Sequence, residues 1–217
     1  MSNNRIERRY VVAGLSVERR AENEMPTLTG YAAVFNQRSV ELWGFYEMLA
    51  PGAFKDSLAA GDDVRVLWNH DPNWVMARSI NGTLRMKEDD HGLAVEFDPI
   101  DTPIMRGFVA SIERGDVSQM SFAFRATDDK WDIDNNEQWV RTVLAAKLYD
   151  VSPVTYPAYQ GTEIGLRSAG STDPVYGYVP TLPAELQRAL QQGGQAGDAH
   201  TLEREMRLRR LRLMSLK

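Results

Sequence analysis

Gly82-Thr83-Leu84-Arg85-Met86-Lys87-Glu88-Asp89-Asp90-His91-Gly92-Leu93-Ala94-Val95-Glu96-Phe97-Asp98 is the stretch whose reading decides the fold. Leu93, Val95 and Phe97 alternate with Ala94, Glu96 and Asp98, the period of two that sends one set of side chains to a core and the other to solvent. The turn-rich Glu88-Asp89-Asp90-His91 divides the stretch, so residues 82–87 and 92–98 predict a β-hairpin. Working outward, Val64-Arg65-Val66-Leu67-Trp68-Asn69 reads as a mostly buried strand and Met120-Ser121-Phe122-Ala123-Phe124 as a short β run. The segment from Gln138 to Val151 is long enough to be a strand that bends or crosses a sheet.

Two helices interrupt this pattern. Thr102-Pro103 sets a capping hydroxyl before a proline at the first helical position, and Ile104, Phe108, Val109 and Ile112 repeat at one-face spacing until Gly115. A shorter helix is expected from Pro51 to Ala60, with Phe54 and Leu58 inward and Gly61 as its stop. The fold class is therefore mostly β with a few helices, α+β.

The chain has 217 residues, 43% of them hydrophobic and 25% charged, the balance of a soluble domain with one core. Zero cysteines exclude a disulfide framework, a cysteine zinc site and a cysteine nucleophile. Residues 1–9 lack an apolar signal core and no window approaches 18 uninterrupted apolar residues, so neither signal-directed secretion nor a membrane span is expected. After Arg167 the composition turns to Gly, Pro, Ser and Gln. This divides the chain into a domain over 1–167, a flexible linker over 168–200 with a short helix near 183–192, and a basic helical tail over 201–217.

The formal net charge of −5 is unevenly placed: residues 1–20 carry +3 and residues 201–217 carry +4, leaving −12 between them. The net charge gives no nucleic-acid footprint, although a basic tail is a weak hint of one; the basic ends are solvated, bind the acidic body, or pair with an oppositely charged partner.

Candidate chemistry falls on three positions. Of the histidines His70, His91 and His200, the second lies in a charged turn and the third in the tail. His70 follows directly on an apolar strand, and by strand parity it continues the face of Val64, Val66 and Trp68. Ser121 stands where a packing residue is the default; its hydroxyl either bonds backbone or acts as a nucleophile beside a base. Asp150 is embedded among apolar residues and needs a partner to stay ionised: an arginine, a backbone cap, or a histidine Nδ1–H, whose tautomer it would then fix. Ser121, His70 and Asp150 form one coherent triad among several assignments.

Seven elements in order narrow the choice: Gly30-Tyr31-Ala32-Ala33-Val34-Phe35-Asn36, Pro51-Gly52-Ala53-Phe54 with Ser57-Leu58, Asn69-His70-Asp71, Gly82-Thr83-Leu84, Arg114-Gly115-Asp116, Met120-Ser121-Phe122-Ala123-Phe124, and Asp150-Val151-Ser152-Pro153-Val154 through Pro157-Ala158-Tyr159. Together they resemble the tailed-phage prohead maturation proteases over about residues 8–167. The resemblance implies an antiparallel, barrel-like β core of the herpesvirus capsid-assembly protease type. It also implies a serine endopeptidase that works inside the immature capsid in the host cytoplasm and cuts scaffold segments of the major capsid protein, and, as members of the family often do, itself. By position His70 and Ser121 match the family histidine and serine, and Asp150 falls where the family has an acid before Val-Ser.

On this reading the partners are the major capsid protein and its scaffold segment as substrates, with self-association and no membrane or specific nucleic acid, and no cofactor. The alternative is a non-enzymatic capsid scaffold or assembly adaptor. Metal-dependent hydrolysis by His70, Asp71, His91 and Asp89 lacks a compact ligand motif.

Overall fold

The computed structural model describes residues 6–11, 15–18, 24–42, 44–155 and 182–193. Its strands are β1 (Glu7–Val11), β2 (Ser16–Glu18), β3 (Thr27–Val34), β4 (Phe45–Leu49), β5 (Arg65–Trp68), β6 (Asp71–Arg78), β7 (Leu84–Glu88), β8 (Gly92–Phe97), β9 (Gln119–Ile133) and β10 (Trp139–Val154). The α-helices are α1 (Lys55–Ala59), α2 (Pro103–Glu113) and α3 (Ala184–Gly193). The protein is thus mostly β with few helices.

Two sheets form. One runs β2-β3-β8-β7, and the hairpin anticipated from alternation is its β7–β8 pair, with Leu93, Val95 and Phe97 all buried. The other runs β1-β9-β10-β5-β6, with β4 also on β10. Leu28, Leu84, Leu93 and Phe97 of the first sheet meet Val66, Met120, Phe122, Leu148 and Val151 of the second in one core, which Met105, Val109 and Ile112 of α2 also join.

Glycine is required where β8 passes β3. A Cβ on Gly92 would lie 2.0 Å from the carbonyl oxygen of Ala33, a backbone atom with no rotamer to yield. Gly92→Ala is expected to cost about 1–3 kcal/mol or more, read as a lower urea midpoint.

β10 organises the site. Along one edge it pairs antiparallel with β9; along the other it takes β4 in parallel at residues 139–143 and then β5 in parallel at Asp150 and Val151. Between β4 and β5 the edge is satisfied by the connecting chain: Ala50 N–H donates to the Val143 carbonyl, Ala146 N–H to the Ala53 carbonyl, and Leu148 N–H to Ser57 Oγ. Register shifts at Val143/Ala145, Ala145/Ala146 and Leu148/Asp150 bend the strand where these partners change. The expected antiparallel core therefore carries two parallel pairings.

Three local expectations are corrected. The β run at 120–124 is the start of a 15-residue strand, because β10 continues to pair with β9 beyond it. In α2, Met105 is buried while Ile104 is 50% exposed, since the inward stripe is set by Met105, Val109 and Ile112. The Thr102 cap itself forms, accepting from Met105 N–H. Residues 51–54 make turns, so the first helix is only Lys55–Ala59, with Phe54 fully buried just before it and Leu58 partly so.

The helix anticipated near 183–192 is α3, whose Leu186 is buried and whose Leu190 lies against Gly44. The helix expected over 201–216, His200 and the boundary at 167 lie outside the described residues.

Candidate active site

His70 does not continue the face of β5. β5 and β6 close on each other at Trp68 and Asp71, leaving Asn69 and His70 as a two-residue hairpin turn with φ of 54° and 58°. Such turns need positive φ at both positions, which is uncommon for non-glycine residues and is adopted more readily by asparagine and histidine than by most others. The left-handed conformation costs a non-glycine residue about 1–3 kcal/mol. Asn69 holds the turn in place: its N–H donates to the Pro153 carbonyl, and its Oδ1 accepts from Thr155 N–H at 2.8 Å and Thr155 Oγ at 3.1 Å. The turn is thereby tied to the end of β10.

The strands converge at this end of the sheet. Ser121, near the start of β9, lies opposite Ser152 of β10 on one side and Tyr10 of β1 on the other. His70 Nδ1 is 2.5 Å from Asp150 Oδ1, and His70 Nε2 is 2.5 Å from Ser121 Oγ. All three sequence candidates thus stand in one hydrogen-bonded row. An ionised carboxylate only accepts, so the short contact assigns the ring proton to Nδ1 and leaves the Nε2 lone pair facing the serine hydroxyl.

Ser121 Oγ has a second acceptor, the Arg9 carbonyl at 2.8 Å. Both sequence readings of this serine, backbone-bonded and base-paired, therefore describe real contacts. One hydroxyl proton serves only one of them at a time, and nucleophilic attack requires it on the His70 side.

Among the described residues Asp150 takes neither of the alternatives left open by sequence, an arginine or a backbone cap. Arg65 is its partner across the parallel ladder, but that guanidinium bonds Asp63 at 3.0 Å. Instead the Ser152 hydroxyl donates to Asp150 Oδ1 at 2.8 Å. Asp71, next to His70 in the chain, accepts from Asn73 N–H and Nδ2. Asp89 is held in the β7–β8 turn by His91 N–H, Gly92 N–H and the Tyr31 hydroxyl. Among the described residues no group of three or more His, Asp or Glu is arranged to hold a metal ion.

Beneath β1 lies an ionic cluster that sequence reasoning missed. Arg141 of β10, 2% exposed, bonds Glu7 at 2.5 Å, Glu47 at 2.8 Å and Asp129 at 2.7 Å, and Arg9 bonds Glu7 and Glu47 as well. Burial acts most strongly on both glutamates: it pushes the Glu7 carboxyl up, whereas at Glu47 Arg9 and Arg141 overcome it and hold the group below the ordinary range. Burial also weakens the Arg141 charge, but the surrounding carboxylates more than restore it. The cluster anchors β1, and with it the Arg9 carbonyl beside Ser121. Arg141→Met strands two buried carboxylates on one arginine and is expected to cost about 3–5 kcal/mol in a denaturation curve. The only signal available in sequence was a charged residue within an otherwise strand-like run, which marks an exposed face equally well.

A serine hydroxyl, an imidazole and a carboxylate thus stand in one hydrogen-bonded row on a mostly β domain, an arrangement of the kind serine hydrolases use. The chain belongs to the Caudovirus prohead serine protease family, whose sequence profile matches residues 14–174. Among solved structures it is similar to the bacteriophage T4 capsid assembly protease, gp21, at 11% identity and a TM-score of 0.43, covering 70% of this chain and 99% of that one. No curated protein matches.

Proposed function

We propose that this protein is the serine endopeptidase of a phage prohead, with Ser121 as nucleophile, His70 as general base and Asp150 as the group that orients and charge-stabilises the imidazole. The observation that carries the reading is the row Ser121 Oγ to His70 Nε2 and His70 Nδ1 to Asp150 Oδ1, both contacts at 2.5 Å. In acylation Ser121 Oγ bonds the scissile carbonyl carbon while its proton passes to Nε2. The tetrahedral adduct collapses as the C–N bond breaks and Nε2 returns that proton to the leaving amine. Water, deprotonated by the same nitrogen, then hydrolyses the acyl ester.

The substrates on this reading are scaffold segments of the major capsid protein, cut within the immature capsid in the host cytoplasm, where self-associated copies of the protease are enclosed. The core is of the herpesvirus capsid-protease type, and the sequence after it divides into a Gly-, Pro- and Gln-rich stretch over 168–200 that contains α3 and a basic stretch over 201–217. β10 ends at Val154, and the next residue, Thr155, is bonded to Asn69 beside His70. The sequence after residue 167 is rich in Gly, Pro and Gln, a composition that suits an extended cleft, and self-cleavage there belongs to the proposal.

Co-expression with the neighbouring capsid and scaffold genes, followed by intact-mass measurement of all chains, tests it. Defined fragments of the capsid or scaffold chain, and a protease shortened after residue 167, are expected with the wild type and absent with Ser121→Ala. Unprocessed capsid and scaffold chains in both cases overturn the enzyme reading in favour of a scaffold or adaptor. Equal shortening of wild type and variant assigns the tail loss to host proteases and removes self-cleavage.

A further inference from the structure

Ser152 has a place in the site but no role in the mechanism above. It is fully buried in β10, between Val151 and Pro153, where a packing residue would be the default. A hydroxyl sealed from water is unfavourable unless it is bonded, and this one is bonded to Asp150 Oδ1 at 2.8 Å. The same oxygen meets His70 Nδ1 at 2.5 Å. Residues 150 and 152 share a strand face by the period of two, and the register places Ser152 beside Ser121 on β9. Sequence and packing therefore put a second hydroxyl one residue pair away from the candidate nucleophile, aimed at the carboxylate end of the row.

The charged groups on the neighbouring elements are engaged elsewhere. On β5, Arg65 bonds Asp63; at the start of β6, Asp71 bonds Asn73; on β1, Arg9 bonds Glu7 and Glu47. What shares Asp150 Oδ1 with the imidazole is Ser152.

We propose that Ser152 is a positioning residue: by donating to Asp150 Oδ1 it locks the carboxylate toward His70 Nδ1 and withdraws part of its negative charge. The proposal rests on the reading of Ser121, His70 and Asp150 as the catalytic unit. Its consequence is a tuned base. With the donor present, Asp150 holds the ring proton on Nδ1 without raising the basicity of Nε2 as far as a bare carboxylate would. With the donor gone, the carboxylate is more strongly charged and the imidazolium form of His70 persists to higher pH.

The test uses the full-length Ser121→Ala chain, which keeps the site free of turnover, and follows the three histidine rings by NMR titration. Adding Ser152→Ala is expected to raise the His70 midpoint by about one pH unit while leaving His91 and His200 unmoved. Adding Ser152→Thr, which keeps the hydroxyl, is expected to leave it near its starting value. In the active chain Ser152→Ala is expected to lower kcat/KM about tenfold at neutral pH and to move its acid limb upward by the same amount as the titration. If Ser152→Ala does not melt cooperatively, Ser152→Cys, a weaker donor that leaves no cavity, replaces it, with a smaller shift of the same sign expected. An unmoved His70 midpoint with Ser152→Ala or Ser152→Cys overturns the role of Ser152, as does a Ser152→Thr chain that shifts as far as Ser152→Ala. Full cleavage by Ser121→Ala would instead overturn the catalytic reading alone.

Discussion

Ser121→Ala is expected to reduce cleavage about 10^6-fold, because it removes the atom that forms the bond to substrate, and residual activity then comes only from binding and oxyanion stabilisation. The fold should survive. Oγ makes one backbone hydrogen bond, to the Arg9 carbonyl, and losing a bond of that kind costs about 0.5–1.5 kcal/mol. His70→Ala should be as severe, and the double variant no worse than either single one, since members of one catalytic unit fail together. Single-turnover cleavage of a capsid-derived peptide, measured beside a melting curve, separates loss of chemistry from loss of fold. Comparable rates for wild type and Ser121→Ala would end the assignment.

Asp150→Asn carries the second-largest effect, a fall of up to about four orders of magnitude in turnover. The amide has two ways to face His70, and both fail. If its NH2 group turns to Nδ1, the ring proton is forced onto Nε2, which then cannot accept from Ser121. If its oxygen stays at the Oδ1 position, held there by Ser152 and by His70 Nδ1–H, the tautomer is right but no negative charge supports the imidazolium that forms during attack. Stability should change little, because asparagine keeps the shape of the side chain and still offers hydrogen-bonding atoms to Ser152 and His70. Had Asp150 paired with Arg65, the same substitution would have stranded a buried cation at a cost of about 3–5 kcal/mol, but Arg65 bonds Asp63 in the half-exposed rim. Near-wild-type cleavage by Asp150→Asn would remove this carboxylate from the mechanism.

The site was readable as residue types and unreadable as a place. A histidine after an apolar strand, a serine inside an aromatic run and an acid among apolar residues each break a local pattern, and each break is visible in one dimension. Their mutual distances are not, because residue 70 lies in the β5–β6 turn and residues 121 and 150 on β9 and β10, elements whose order in the sheet is not their order in the chain. Ser152 shows the same limit from the other side. As a small residue beside Pro153 it broke no pattern strongly enough to be singled out, and only the hydrogen bond to Asp150 gives it meaning.

What the sequence determined by itself is local: the alternation in 92–98 makes a strand, Glu88-Asp89-Asp90-His91 turns it back on 84–88, and Thr102-Pro103 starts a helix, because backbone sterics and side-chain periodicity act over a few residues. The parity argument for His70 failed at the boundary of that range. It assumed the strand ran on, whereas Trp68 pairs with Asp71, and the resulting turn rotates His70 out of the strand face. Only the tertiary structure decided that turn, since its strained φ values persist through bonds from Asn69 to Pro153 and Thr155, more than eighty residues later. Likewise, only the fold could bury Arg141 among Glu7, Glu47 and Asp129, because an ion cluster inside a protein is stable when several distant strands deliver opposite charges to one dry point, and nothing in the neighbourhood of residue 141 encodes where those strands will lie.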